Sequence, residues 1–356
     1  MNVSPVGGTR AVEDPDPDAD YDVGAPATPA PDTGIARDRI AVDLPVQQRQ
    51  VTAADGHQWS LLAVVPLDPK VCVLWLPALG VAARHYLPFA QALAARGAAV
   101  FLHEWRGHGS STLRAGRDRD WGYRQLLELD LPASEIAMGH AVDTTVARVL
   151  GGHSLGGQLA SCRLALSPQA AGGIWLVGSG APWWRAFRRG VRWWLLVASH
   201  ILPWLARVNG ALPGRRIGFG GREAPGLIAD WAATARSGIY AASGTETSLE
   251  AALSEARPTI RAVLLAGDWY APAGSLHWLL DKMPLARVTL TTLDDTALGA
   301  RADHFQWMQH PDAVAATLME GYPDQEPAGA SAGEAESLGD GDGEEARARP
   351  GCTAVR

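Results

Sequence analysis

The sequence predicts an α/β fold in which a mostly parallel sheet carries helices on both faces and one helical insertion interrupts it. Three observations support this. Short apolar runs alternate with helically spaced segments from Ile40 onward. The run Val71–Leu76 is apolar throughout, as expected of a strand covered on both faces. The alternation stops near Pro182 and resumes near Thr259, leaving a stretch rich in Trp, Arg and Gly with no clear strand.

Taken in order, Val51–Ala53 and Trp59–Val65 flank the turn-rich Ala54-Asp55-Gly56-His57 and read as an antiparallel pair. Val71–Leu76 is the central strand and ends at Pro77. Tyr86–Arg96 has helical spacing through Phe89 and Leu93 and stops at Gly97. Ala98–His103 is the next strand. A helix from Trp121 to about Gly139 follows, with Leu126, Leu127 and Leu131 on one side. Ala147–Leu150 is a strand, Ser154–Leu166 a helix and Gly173–Val177 a strand. Beyond the insertion come strand Ile260–Ala266, helix Ala273–Lys282, strand Val288–Leu293 and a last helix Pro311–Met319.

Residues 1–37 and 324–356 are dominated by Asp, Glu, Pro, Ala and Gly, as in Glu13-Asp14-Pro15-Asp16-Pro17-Asp18. They have too few large apolar residues to offset the entropy of ordering and read as disordered tails. The core is then expected in two parts, 38–182 and 259–323, with 183–258 as a helical cap. Neither a secretory signal nor a mitochondrial presequence is expected from the Asp-rich opening. The net charge of −7 comes largely from the tails. Acidic tails disfavour nucleic acid, which needs concentrated positive charge. Cys72, Cys162 and Cys352 have no metal-ligand spacing, so neither metal nor cofactor is expected and the setting reads as a reducing cytoplasm. The longest apolar stretch, Val191–Leu205, is broken by Arg192, His200 and Pro203 and falls short of the roughly 20 residues of a membrane span.

The sharpest chemical signal is Gly151-Gly152-His153-Ser154-Leu155-Gly156-Gly157. It contains G-x-S-x-G, and it has an apolar strand before it and a helix after it, the context that motif requires. The turn holds the serine in a strained backbone conformation, and side chains at Gly152 and Gly156 would collide across it. Serine is a weak nucleophile, so it needs a base and an acid to orient that base, and with this motif both follow it in the chain, acid first. His304 lies after the last strand and before the last helix; His200, His277 and His310 read as structural. Asp268 is the one carboxylate in the loop after Ile260–Ala266, with Asp294 and Asp295 as possible substitutes. The oxyanion would need two backbone donors. These are expected to be Leu155 N–H and an amide of Leu76-Pro77-Ala78-Leu79-Gly80, with Leu79 first and Gly80 second. Arg106 and His108 read as builders of their loop. The tryptophans 183, 184, 193, 194 and 204 either pack the cap, line an acyl pocket or make a weak membrane-surface contact.

With these residues the chain resembles the α/β-hydrolase superfamily between about Gln50 and Met319, in the bacterial branch near the serine aminopeptidases and monoglyceride-lipase-like proteins. Besides the motifs above, the likeness includes Arg106-Gly107-His108-Gly109-Ser110, Leu212–Gly220, Trp269-Tyr270-Ala271-Pro272 and Asp303-His304-Phe305. Glu104 stands where relatives carry Asp, and Pro77-Ala78 replaces their His-Gly. The resemblance implies metal-free hydrolysis of an ester, thioester or amide of a small acyl substrate. An acyltransferase using the same three residues, or a non-catalytic binding protein of this fold, are the alternatives.

Overall fold

The computed structural model describes residues 44–322. The two expected tails, 1–37 and 324–356, lie outside the described residues.

The run Val71–Leu76 forms β3, and all six of its side chains are buried. Successive side chains alternate across a strand. Val71, Val73 and Trp75 therefore enter one apolar core, while Cys72, Leu74 and Leu76 enter a second on the opposite face. Ahead of it, β1 (Val46–Thr52) and β2 (Gln58–Val64) form the antiparallel pair. β1 begins well before the expected Val51, because only Val51 is buried in this edge strand and its polar residues leave no apolar pattern to read. Next come α1 (Leu87–Ala94), β4 (Ala98–Leu102), α2 (Tyr123–Gln125), α3 (Leu131–Gly139), β5 (Ala147–His153), α4 (Leu155–Leu166) and β6 (Gly173–Val177).

A long insertion follows, with α5 (Arg189–Asn209), β7 (Leu212–Pro213), α6 (Gly214–Ile217), β8 (Arg222–Glu223), α7 (Pro225–Ser237) and α8 (Leu249–Glu255). The chain returns to the sheet with β9 (Thr259–Leu265), α9 (Ala273–Leu280), β10 (Arg287–Leu293), α10 (Asp295–Leu298) and α11 (Asp312–Met319).

The eight-stranded sheet runs β1-β2-β4-β3-β5-β6-β9-β10 and is parallel from β4 to β10. Residues of α1 and α11 lie in one core, and residues of α4, α8 and α9 in the other. The chain steps left from β3 to β4, then crosses to β5 on the right. That reversal opens a crevice beyond the C-terminal ends of β3 and β5, the place where open α/β sheets bind ligands.

Prolines explain two irregularities. The helix expected from Trp121 starts at Tyr123 and passes through a π-type stretch, Leu126–Asp130, before α3. Pro132 lies at its end and has no N–H to continue the ladder. In α5, Pro203 likewise leaves the carbonyl of Ser199 without its helical donor, and Arg236 of α7 supplies one. The insertion is not helical throughout, because β7 and β8 pair as a small antiparallel hairpin. Two-residue strands within a Gly- and Arg-rich segment carry no periodicity from which to infer them.

Two fully buried histidines make the fold sensitive to acid. Burial pulls His103 down to about 3, with Asp130 opposing and His57 and Arg106 assisting. Burial, then the neighbouring His304, pushes His153 well below its ordinary value. A histidine whose native pKa is depressed stays unprotonated while the unfolded chain takes up protons. The associated stability is therefore present above the unfolded value near 6.5 and is lost as pH falls below it. Each histidine is worth about 1.4 kcal/mol per pH unit in that range. Glu104 and His108 act oppositely: burial raises the Glu104 carboxyl despite amide bonds from Ala83 and Ser110, and Glu223 raises His108. Denaturant unfolding is expected to show stability about 1–3 kcal/mol lower at pH 5 than at pH 6.5; equal or greater stability at pH 5 would contradict the buried-histidine account.

Candidate active site

The turn between β5 and α4 holds Ser154 at φ 54°, ψ −118°. Among the described residues it is the only non-glycine with positive φ. Such a conformation costs on the order of 1–3 kcal/mol and persists only where the surroundings impose it. Here they do. The Ser154 N–H donates to Val177 O (3.2 Å), and its carbonyl accepts from Gln158 N (3.3 Å) and Ser179 Oγ (2.9 Å). A Cβ at Gly152 would lie 2.3 Å from the Gly156 backbone, and one at Gly156 would lie 2.0 Å from Leu76 O, so both positions exclude a side chain. The Ser154 hydroxyl makes no hydrogen bond among the described residues and lies on the wall of a cleft of about 430 Å³.

The loop after β9 presents Asp268. Its Oδ1 accepts from the backbone amides of Tyr270 (2.8 Å) and Ala271 (3.0 Å). Its Oδ2 is 2.7 Å from His304 Nδ1, and both residues are buried. A carboxylate only accepts, so His304 carries its proton on Nδ1 and leaves Nε2 as an acceptor. The imidazole is held on both faces: Tyr270 stacks at 4.9 Å between ring centroids and His153 tilts against it at 4.5 Å. Ser154 and His304 line the same cleft. Asp294 and Asp295 are used elsewhere, accepting from Ala297 N and Ala302 N respectively.

The loop after β3 faces Ser154 across the cleft. The amides of Leu79 and Leu155 donate to no acceptor among the described residues, and Leu79 is on the cleft wall. Two side chains clamp this loop. Trp105 Nε1 donates to Pro77 O (2.9 Å). Tyr86 Oη accepts from Ala78 N–H (2.9 Å) and so has its one proton to give to His153 Nδ1 (2.8 Å). A buried tyrosine thus links the loop to the residue preceding Ser154. The link between Tyr86 and His153 has no sequence signal, because nothing local marks a contact spanning 67 residues. Gly80, at φ +80°, approaches the insertion so closely that a Cβ would meet Gly221 N at 2.3 Å.

The insertion completes the cleft with Arg215, Gly218, Phe219 and Gly220 from the β7–β8 hairpin. Tyr270 and Phe305 add aromatic rings and Ala78 a methyl group. Glu223 of β8 fixes the hairpin by bonding Gly221 N (2.7 Å) and His108 Nε2 (3.2 Å). Burial lowers His108, but Glu223 outweighs it and the net direction is upward. Arg106 makes a buried two-point bond with Asp130 (2.7 and 2.8 Å) and reaches Asp55 (2.7 Å), and it does not line the cleft. His200 and His277 lie on the exposed surfaces of α5 and α9, and His310 in the turn before α11, where its N–H donates to Trp307 O (3.1 Å); none of the three lines the cleft. Among the described residues no cluster of His, Cys, Asp and Glu is arranged to hold a metal ion, and no helix is long and apolar enough to cross a membrane. Cys72 and Cys162 are buried free thiols, and Cys352 lies outside the described residues.

Comparison with known proteins agrees with this architecture. Residues 68–225 match the family described as serine aminopeptidase, S33. No curated protein matches the chain significantly. Among solved structures, an esterase of Pyrococcus furiosus superposes with a TM-score of 0.50 at 14% identity, covering 78% of this chain and 90% of that one. A thermophilic esterase from Thermogutta terrifontis gives 0.50 at 14% identity, with 77% and 97% covered. At these identities the likeness is one of fold. The chain thus has the α/β-hydrolase fold, and its segment 68–225 is similar to the S33 serine aminopeptidase family.

Proposed function

We propose that the protein is a serine hydrolase that cleaves an ester, thioester or amide of a small hydrophobic acyl compound through an acyl-enzyme. The observation that carries this reading is Ser154, held at positive φ on the wall of a cleft shared with a His304 that Asp268 orients. Strain retained at one non-glycine residue points to function rather than to packing. In this mechanism Ser154 Oγ attacks the carbonyl carbon while His304 Nε2 takes its proton, and Asp268 stabilises the resulting imidazolium. The free N–H groups of Leu155 and Leu79 receive the oxyanion. His304 then returns the proton to the leaving group, and water repeats the sequence to release the acid. His153, kept uncharged, does not oppose the imidazolium that forms 4.5 Å away. The aromatic and aliphatic lining suits an uncharged acyl chain, with Arg215 the one permanently charged side chain on the wall. Contact with a membrane surface through the tryptophan-rich insertion is compatible with this chemistry.

The test is labelling with a fluorophosphonate, wild type beside Ser154→Ala, followed by peptide mapping. Labelling confined to the peptide bearing Ser154 and lost in the variant is expected. A folded wild-type protein that takes up no label would remove the catalytic reading and leave a binding role.

Tyr86 is assigned as a positioning residue. Tyr86→Phe keeps the ring but removes the acceptor for Ala78 N–H and the donor to His153. A buried hydrogen bond lost this way costs about 1–3 kcal/mol, so kcat is expected to fall roughly 10–100-fold with KM little changed. Affinity for a trifluoromethyl ketone, which forms the same oxyanion, should weaken in parallel. A variant that loses thermal stability but keeps kcat would make Tyr86 merely structural.

A further inference from the structure

We propose that α5 docks the protein onto a lipid bilayer bearing anionic headgroups. The helix is apolar on two separate faces. Leu195, Ala198, Leu202 and Ala206 are buried, facing the side on which α7 packs. Away from them, Trp193, Trp194, Val197, Ile201, Trp204 and Val208 are each 51–62% exposed. At 3.6 residues per turn these six fall within a sector of about 100°, a continuous stripe along the helix. Within the stripe Trp193 meets the Trp184 ring at 5.2 Å between centroids, while the other five side chains stay more than half exposed beside a separate face that carries the packing of α5. Contiguous apolar surface of this kind marks an interaction site.

Charge identifies the occupant. Between Gly178 and Arg222 the chain has eight arginines and neither Asp nor Glu, in a protein whose net charge is −7. Arg189, His200 and Arg207 are exposed and fall along one edge of the stripe, and Arg188 is exposed just before the helix. A cationic surface beside a Trp-, Ile- and Val-rich stripe fits the headgroup and acyl boundary of an anionic bilayer, where tryptophan is favoured. A second copy of the chain fits poorly, because a two-fold contact through this stripe would set one arginine-rich surface against another. The helix lies on the bilayer rather than across it: Arg192, His200 and Pro203 interrupt it, and it falls short of the apolar length a crossing needs. This inference does not depend on the catalytic reading.

The experiment is co-sedimentation of the full chain with vesicles of phosphatidylcholine, with and without phosphatidylglycerol. Wild type and Ser154→Ala are run side by side, so that loss of catalysis and loss of docking are read separately. Both are expected to pellet with the anionic vesicles, far less with the neutral ones, and less as salt rises. The double variant Ile201→Ser/Trp204→Ser should weaken binding by at least tenfold, and Arg188→Gln/Arg189→Gln by about fivefold per residue. All four side chains are exposed, and unchanged melting temperatures would show that the variants fold. No pelleting with anionic vesicles, equal pelleting with both kinds, or undiminished binding by the stripe variant would each overturn the proposal. So would a concentration-dependent dimer that the stripe substitutions abolish in a protein that ignores vesicles.

Discussion

Ser154→Ala is expected to lower turnover by roughly 10⁴–10⁶-fold while leaving the fold intact. The chemical half follows from removing the hydroxyl proposed to form the acyl-enzyme. The structural half follows from where the other contacts of Ser154 lie. They all use the backbone N–H and C=O of Ser154, paired with Val177 O, Gln158 N and Ser179 Oγ, and alanine keeps every one. The hydroxyl contributes no hydrogen bond to the described fold, so its loss leaves nothing unpaired. His304→Ala should match the effect on turnover, since members of a catalytic set act as a unit and their losses do not add. Ser154→Gly sharpens the experiment. It should be as inactive as the alanine variant, yet more stable than wild type by up to about 1 kcal/mol, because glycine enters positive φ without the steric penalty. Activity of Ser154→Ala within tenfold of wild type would sink the assignment. A glycine variant less stable than alanine would show that the turn is not under the strain its backbone angles indicate.

Locality decides which parts of the molecule are legible in its sequence. β3 was legible because six consecutive apolar residues between turn signals can only be buried on both faces. The turn at Ser154 was legible because its requirements are local: a strand, two glycines that admit no Cβ, and a helix. The meeting of Asp268 and His304 was inferred from their positions after successive strands, which parallel topology brings to one sheet edge. What escaped depends on contacts distant in the chain. The β7–β8 hairpin is held by Glu223 and His108, 115 residues apart, and two-residue strands have no pattern of their own. The link from Ala78 through Tyr86 to His153 likewise has no local signal, although it joins the two loops on which the proposed chemistry depends. The exposed stripe of α5 was visible as apolar spacing, but spacing alone does not distinguish a buried face from an unpartnered one.

Asp268→Asn is expected to reduce kcat by about 10⁴-fold with little change in KM, the size of effect that follows when the base is held in the wrong tautomer. Asparagine is nearly the same shape, and its carbonyl can take the Oδ1 position and still accept from Tyr270 N and Ala271 N. The amide group then points at His304 Nδ1, where the carboxylate oxygen was. It donates rather than accepts, so the imidazole must carry its proton on Nε2, the atom that should receive one from Ser154. The imidazolium also loses its counter-charge. Fluorophosphonate labelling should slow in proportion, while melting temperature changes little because the loop keeps its amide bonds. The parallel variants Asp294→Asn and Asp295→Asn separate this from a general effect of charge. Their carboxylates cap α10 and hold Ala302 rather than His304, so they should leave kcat within a few-fold and be felt mainly as lost stability of about 1 kcal/mol. Should Asp268→Asn retain activity while either of these loses it, the orienting acid would lie at the end of β10 and the geometry around His304 would have to rearrange in solution to reach it.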